Sequence, residues 1–222
     1  MIFQIDESTP YPTFPDPRSG DEDGLFAVGG DLSIDRLLLA YCHGIFPWYS
    51  FRDQPDILWY CPMQRFVIFP EEIHVSHSMR TLINKDQYSY SINEAFDDVI
   101  AQCSKLRIEQ DGAWLGDDMI KAYTELHRQG FASSVEVWDD ATDLLVGGLY
   151  GVTIGPVFIG ESMFSLVPSA SKLALIYLAR FMQRKGMKLI DCQLETSHLR
   201  SMGGRFISYD DYLKIINDDD EF

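Results

Sequence analysis

The 222-residue sequence has no long apolar run, and no window approaches the roughly 18 consecutive apolar residues that a membrane span needs. Its start, MIFQIDESTP, lacks the basic residues and apolar stretch of a secretory leader. Both absences lead us to expect a cytoplasmic protein with no membrane partner. Cysteine is scarce, and Cys42, Cys61, Cys103 and Cys192 form no CxxC pair. That argues against a disulfide framework or a zinc site and predicts free, mostly buried thiols. Basic residues are few as well: 18 Lys and Arg stand against 34 Asp and Glu, a net charge of -16. Binding to nucleic acid through bulk positive charge is therefore excluded, although a local basic face is not. The five histidines show no HExxH spacing, and the glycine pairs in AVGGD and VGGLYG match neither a Walker loop nor a dinucleotide fingerprint. We expect no metal and no organic cofactor.

What the sequence does have is a core, with 46% hydrophobic and 13% aromatic residues. Two regions differ in texture. Residues 1–62 hold seven of the ten prolines and read as loop and extended chain around one helix, with Asp31 or Ser33 at its start, Leu37, Leu38 and Tyr41 on its apolar side and Gly44 at its end. Residues 63–222 are more periodic and read as a second, larger domain. Helices are predicted over about 94–104, 116–129, 170–185 and 208–217, and strands over 133–138, 144–153, 157–164 and 188–195. The connections at 139–143 and 155–156 are too short for crossovers, so the first three of those strands form an antiparallel meander. The class is α+β.

Two strands carry candidate chemistry. In KLIDCQLE, alternation puts Ile190, Cys192 and Leu194 on one face and Asp191, Gln193 and Glu195 on the other. This reads either as a carboxylate and an amide presented together or as an ordinary wet face of an edge strand. In VFIGESMF, Glu161 shares a face with Val157, Ile159 and Met163. A charge on an apolar face is costly unless it is paired or works in a cleft. Residues 172–205 contain seven basic and two acidic residues, a local +5, and Lys172, Arg180 and Arg184 recur at multiples of four along one helical face. Trp48 lies in a proline-punctuated aromatic loop suited to a pocket wall.

The blocks GLFAVGGDLSIDRLLLAYCHGIFPWYS, ILWYCPMQR, LVGGLYGV, GESMFS and LIDCQ occur in order along nearly the whole chain, and together they resemble the bacterial leucyl/phenylalanyl-tRNA-protein transferases. The resemblance implies an acetyltransferase-like (GNAT-like) larger domain behind a small N-terminal one. It implies transfer of Leu or Phe, with some Met, from aminoacyl-tRNA to the α-amino group of proteins that begin with Arg or Lys, marking them for degradation. Glu161, Asp191 and Gln193 match the family's catalytic positions. Trp48, Trp114 and Tyr123 match residues around the aminoacyl-adenosine end, and Leu149, Phe158, Leu175 and Leu178 are expected to line the side-chain pocket. With this activity in view, Asp191 is expected as base or proton relay, Gln193 as its orienting or oxyanion group, and Glu161 as the grip on the acceptor's positive terminus. Arg80, Lys85, Lys172, Arg180 and Arg184 are the expected tRNA contacts. Leu166 stands where the family usually has Arg, and tRNA binding is accordingly expected to be weak and salt-sensitive. A monomer is expected.

Two other readings compete. An acyl-CoA-dependent N-acyltransferase would hold pyrophosphate on an R/QxxGxG/A loop, and the nearest segment, Arg200–Arg205, fails that pattern at its last position. A non-catalytic binder of basic protein N-termini would suit the acidic composition, and leaves the Asp191–Gln193 alternation without a purpose.

Overall fold

A computed structural model describes residues 2–6, 12–50, 54–109 and 116–217. In chain order the strands and helices are β1 (Phe3–Ile5), β2 (Leu25–Gly29), α1 (Ile34–Cys42), β3 (Phe46–Ser50), β4 (Gln54–Tyr60), β5 (Gln64–Ile68), α2 (His77–Ile83), β6 (Tyr88–Ile92), α3 (Phe96–Glu109), α4 (Asp117–Arg128), β7 (Ala132–Asp139), β8 (Leu144–Ile154), β9 (Val157–Ser165), α5 (Ala170–Arg184), β10 (Leu189–Asp191), α6 (Ser197–Ser201), β11 (Arg205–Ser208) and α7 (Tyr209–Ile216).

The strands form two sheets, β1-β2-β4-β3 and β11-β5-β10-β9-β8-β7-β6. The first corrects the reading of residues 1–62 as loop and extended chain around one helix, since the extended chain is paired into a sheet. Pro47 sits on the edge strand β3, where a missing N–H is tolerated, and Pro17 opens a short 3-10 turn, so neither breaks the sheet. The helix within this region runs as expected, with Gly44 in the left-handed region at φ +68 just beyond its end, packed so closely on the Tyr212 ring that a Cβ would lie 2.8 Å from it.

In the second sheet, β7, β8 and β9 form the expected antiparallel meander, and the class is α+β. Helix α5 then crosses over to bring β10 back parallel to β9. The expected strand over 188–195 stops at Asp191, because Gln193 takes a left-handed conformation at φ +62 that no strand continues through. Nor is β10 an edge strand with a wet face: it lies between β5 and β9, and Asp191 is fully buried.

Both faces of this sheet are covered. On one side α5 lays Leu173, Leu175, Ile176, Leu178 and Met182 against Val135, Val137, Phe158 and Ile190. Fully burying each such side chain stabilises the fold by about 1.5–3 kcal/mol. On the other side one continuous apolar cluster runs from Phe26, Leu37 and Trp59 of the N-terminal region to Phe96, Met119, Tyr123 and Tyr150. The N-terminal sheet and α1 are thereby packed against the elements that frame the centre of the larger sheet. Of the cysteines, Cys61 and Cys103 are buried, Cys192 is half-buried and Cys42 is exposed, all four as free thiols. Among the described residues no helix is long and apolar enough to cross a membrane.

Candidate active site

Where β8 and β9 pair, the register steps from Gly151–Gly160 to Tyr150–Ser162, which leaves Glu161 as the extra residue of a β-bulge. The backbones approach closely there, since a Cβ on Gly151 would lie 2.2 Å from the Ile159 carbonyl oxygen. The bulge keeps Glu161 on the side of Val157 and Ile159 but turns the rest of the strand over. Met163, placed beside Glu161 by strict alternation, points instead toward α5, while Phe164 takes the side of Ile159.

Glu161 is buried, and three neutral groups meet its carboxyl. Tyr41 of α1 donates to Oε1 at 2.8 Å, Tyr123 of α4 donates to Oε2 at 2.9 Å, and Gln193 Nε2 donates to Oε1 at 2.9 Å. The two phenol oxygens are themselves 2.5 Å apart. Burial is the largest influence and pushes the Glu161 carboxyl up to about 7, with the Asp191 charge adding to it; the three hydrogen bonds pull the other way. A carboxyl so placed titrates where an amine must be deprotonated.

Asp191 is differently occupied. Arg65, on β5, grips it through Nε at 3.1 and 3.0 Å and through Nη2 at 2.7 Å, with both side chains fully buried. The guanidinium lies between the Phe46 and Tyr212 rings, 4.8 and 4.9 Å from their centres. Burial by itself would lower the Arg65 guanidinium, and the Asp191 carboxylate more than reverses that. Asp191 Oδ1 also accepts the Gln193 backbone N–H at 2.8 Å, which holds Gln193 in its left-handed conformation with its amide on Glu161. The three candidates thus form one chain with Arg65, in the order Arg65–Asp191–Gln193–Glu161.

This chain borders a cavity of about 450 Å³. Its apolar wall includes Leu149, Phe158, Met163, Leu175, Leu178 and Ile190; Glu161, Asp191 and Gln193 form the polar part, and Pro47 and Trp48 close another side. Trp48 is half-buried and meets Tyr60 edge-on at 6.2 Å. Tyr123 is fully buried against Glu161, while Trp114 lies outside the described residues. His198, also on the wall, is half-buried, and burial followed by the Lys172 charge holds its imidazole below the ordinary histidine value.

Of the basic candidates, Arg80, Lys85 and Arg184 are exposed, while Lys172 and Arg180 are half-buried. Arg184 donates to the Tyr90 hydroxyl at 2.9 Å. Within the local +5, Arg200 pairs with Glu195 and Arg205 with Glu72, so neither of these two arginines is a free charge. Sequence reasoning missed Tyr41 and Arg65 as site residues. For Arg65 a signal existed: a charge on the apolar strand QRFVI, the same feature that singled out Glu161.

The sequence profile described as "Leucyl/phenylalanyl-tRNA protein transferase" matches residues 67–217, and that of the corresponding N-terminal domain matches residues 30–63. A leucyl/phenylalanyl-tRNA–protein transferase of Flavobacterium johnsoniae is 48% identical over 204 residues, covering 91% of this chain and 94% of its own. The chain belongs to the leucyl/phenylalanyl-tRNA–protein transferase family. A member from Nitrosomonas eutropha is 47% identical over 97% of this chain and 90% of its own, and one from Pseudomonas fluorescens is 50% identical over 90% and 89%. The family is one of aminoacyltransferases, whose name implies an aminoacyl-tRNA and a protein as substrates.

Proposed function

We propose that the chain transfers Leu or Phe, and Met less well, from aminoacyl-tRNA to the α-amino group of proteins that begin with Arg or Lys, and so marks them for degradation in the cytoplasm. The observation that carries this reading is a buried Glu161 at the polar end of an apolar cavity of about 450 Å³. The donor's side chain enters the apolar part among Leu149, Phe158, Leu175 and Leu178, where a charged side chain would lie unpaired at high cost. Its ester then faces the polar part. Trp48 packs against the terminal adenosine, with Trp114 the further candidate from outside the described residues.

Aminolysis needs a neutral amine, and an α-amino group with a pKa of about 7.7–8.0 is mostly protonated at neutral pH. Glu161 takes that proton. This reverses the roles expected from the sequence, where Asp191 was the base: Asp191 is saturated by Arg65 and by the Gln193 N–H, whereas Glu161 is raised to about 7. Asp191 then positions Gln193, and Gln193 steadies Glu161 and the oxyanion that forms as nitrogen attacks. The ester already carries the activation the reaction needs. Arg80, Lys85, Lys172, Arg180 and Arg184 contact tRNA phosphates. We further propose a boundary between residues 62 and 63 and a working monomer.

The test is transfer of radiolabelled Leu from Leu-tRNA to a model protein beginning with Arg. Label fixed by the native chain and lost in Glu161→Gln supports the reading. A folded native chain that fixes no label from Leu, Phe or Met donors overturns it.

A further inference from the structure

The protons around Glu161 can be counted, and the count deepens the reading above, on which it rests. Three groups meet in a closed triangle: Tyr41 to Glu161 Oε1 at 2.8 Å, Tyr123 to Glu161 Oε2 at 2.9 Å, and Tyr41 to Tyr123 at 2.5 Å. Oxygens this close to each other share a proton. Three contacts therefore need three protons. Each tyrosine carries one, and burial, the largest influence on both, keeps the phenols neutral by moving their ionisation well above the ordinary value. If both hydroxyls point at an ionised carboxylate, the shortest contact of the three is left as two facing lone pairs. The missing proton belongs to the carboxyl.

We propose that Tyr41, Tyr123 and Glu161 form a closed three-proton ring that holds Glu161 as the neutral acid and stores the proton taken from the acceptor. In the acid form the Tyr123 contact reverses: Glu161 Oε2–H donates to Tyr123, Tyr123 donates to Tyr41, and Tyr41 donates to Oε1. This sense of circulation leaves Oε1 accepting twice, from Tyr41 and from Gln193 Nε2, which uses both of its lone pairs. The other polar groups near the ring are Asp191 on β10, with Arg65 on β5 behind it, and Tyr150 on β8. Asp191 is the nearest negative charge, and it too favours a neutral Glu161.

In the reaction the ring opens when Glu161 gives its proton to solvent. The acceptor's α-ammonium passes one proton to Oε2, which closes the ring again. Its nitrogen forms a bond to the ester carbon, the bond from that carbon to the tRNA 3′-oxygen breaks, and the nitrogen's second proton goes to that departing oxygen. The ammonium has lost two protons, one now on the tRNA hydroxyl and one in the ring. Tyr41 and Tyr123 act through Glu161 and are positioning residues. They come from α1 and α4, so the ring is complete only with the N-terminal region packed in place.

The test reads Glu161 directly, in the full chain without substrate, as the pH-dependent ¹³C shift of its carboxyl carbon, with Glu161→Gln identifying the resonance. Opening the ring removes two neutral hydrogen bonds from the acid and one from the carboxylate, and the latter is charge-assisted and roughly twice as strong. The two losses balance, so the midpoint in Tyr41→Phe and in Tyr123→Phe stays within about half a pH unit of the native value. Single-variant midpoints that each rise by about one unit, with the two rises adding in the double variant, would mean two independent donors to a carboxylate and would overturn the ring. A native Glu161 that is already ionised at about pH 5 would overturn it without any variant. Because no transfer is measured, this outcome is independent of whether the chain carries out the proposed reaction.

Discussion

Replacing Glu161 by Gln will stabilise the fold at alkaline pH while slowing transfer by about 100 to 10,000-fold. The carboxyl moves from an ordinary 4.5 to about 7 on folding, with burial as the main cause. The folded state therefore holds a proton that the unfolded chain has released between those two values, and stability falls as pH rises through that window. The full difference is worth about 3 kcal/mol above pH 7 and nothing below pH 4.5. Gln has the same shape, stays neutral, and can donate to one tyrosine oxygen while accepting from the other. For a chain of this length about 3 kcal/mol corresponds to a rise in Tm of about 6–12 °C. The assay is thermal unfolding of the native chain and Glu161→Gln at pH 5 and pH 8. A gain at pH 8 that has mostly vanished at pH 5 is expected. Equal Tm differences at the two pH values, or a loss at pH 8, would show that Glu161 is not held near neutrality by its site.

Asp191→Asn has the opposite sign: it leaves the Arg65 guanidinium buried without its counter-charge, and urea unfolding will register a loss of about 3–5 kcal/mol. Leu178→Ala opens the apolar end of the cavity. It will cost about 2–5 kcal/mol of stability, and in a donor competition assay Leu transfer will fall relative to Phe by about tenfold. Arg184→Ala and Lys172→Ala will each weaken tRNA binding and flatten its dependence on salt, by about 0.7–0.9 in the log–log slope for each phosphate left unneutralised, with kcat at saturating tRNA little changed.

The meander and the long helices were legible because each rests on local periodicity and turn chemistry, whereas Asp191 and Gln193 meet through the left-handed turn at Gln193 and not through the strand alternation that pointed to them. Other features depend on partners far away in sequence. The strands of the N-terminal region were hidden by prolines that lie on edges and turns, and whether a proline lies on an edge is decided only when the sheet assembles. Glu161 stood out as a charge on an apolar strand, but the bulge that turns Met163 away from it depends on register with β8, which no reading of β9 alone supplies. The same holds for chemical roles. Asp191 looked like the better base while its partner was unknown, and Arg65 lies 126 residues away. Tyr41 looked like one more apolar position on a helix, and its hydroxyl acquires a purpose only where α1 meets α4 and β9.

The central claim is that Glu161 accepts the proton of the attacking amine. It is tested most directly by the pH dependence of kcat/KM for Leu transfer to an Arg-starting protein, measured for the native chain and for Glu161→Gln. The account predicts an acid limb near pH 7 in the native chain. In the variant, transfer is slower by about 100 to 10,000-fold and the limb moves up to that of the free amine, about 7.7–8.0. A variant with the native rate and the native limb would contradict it.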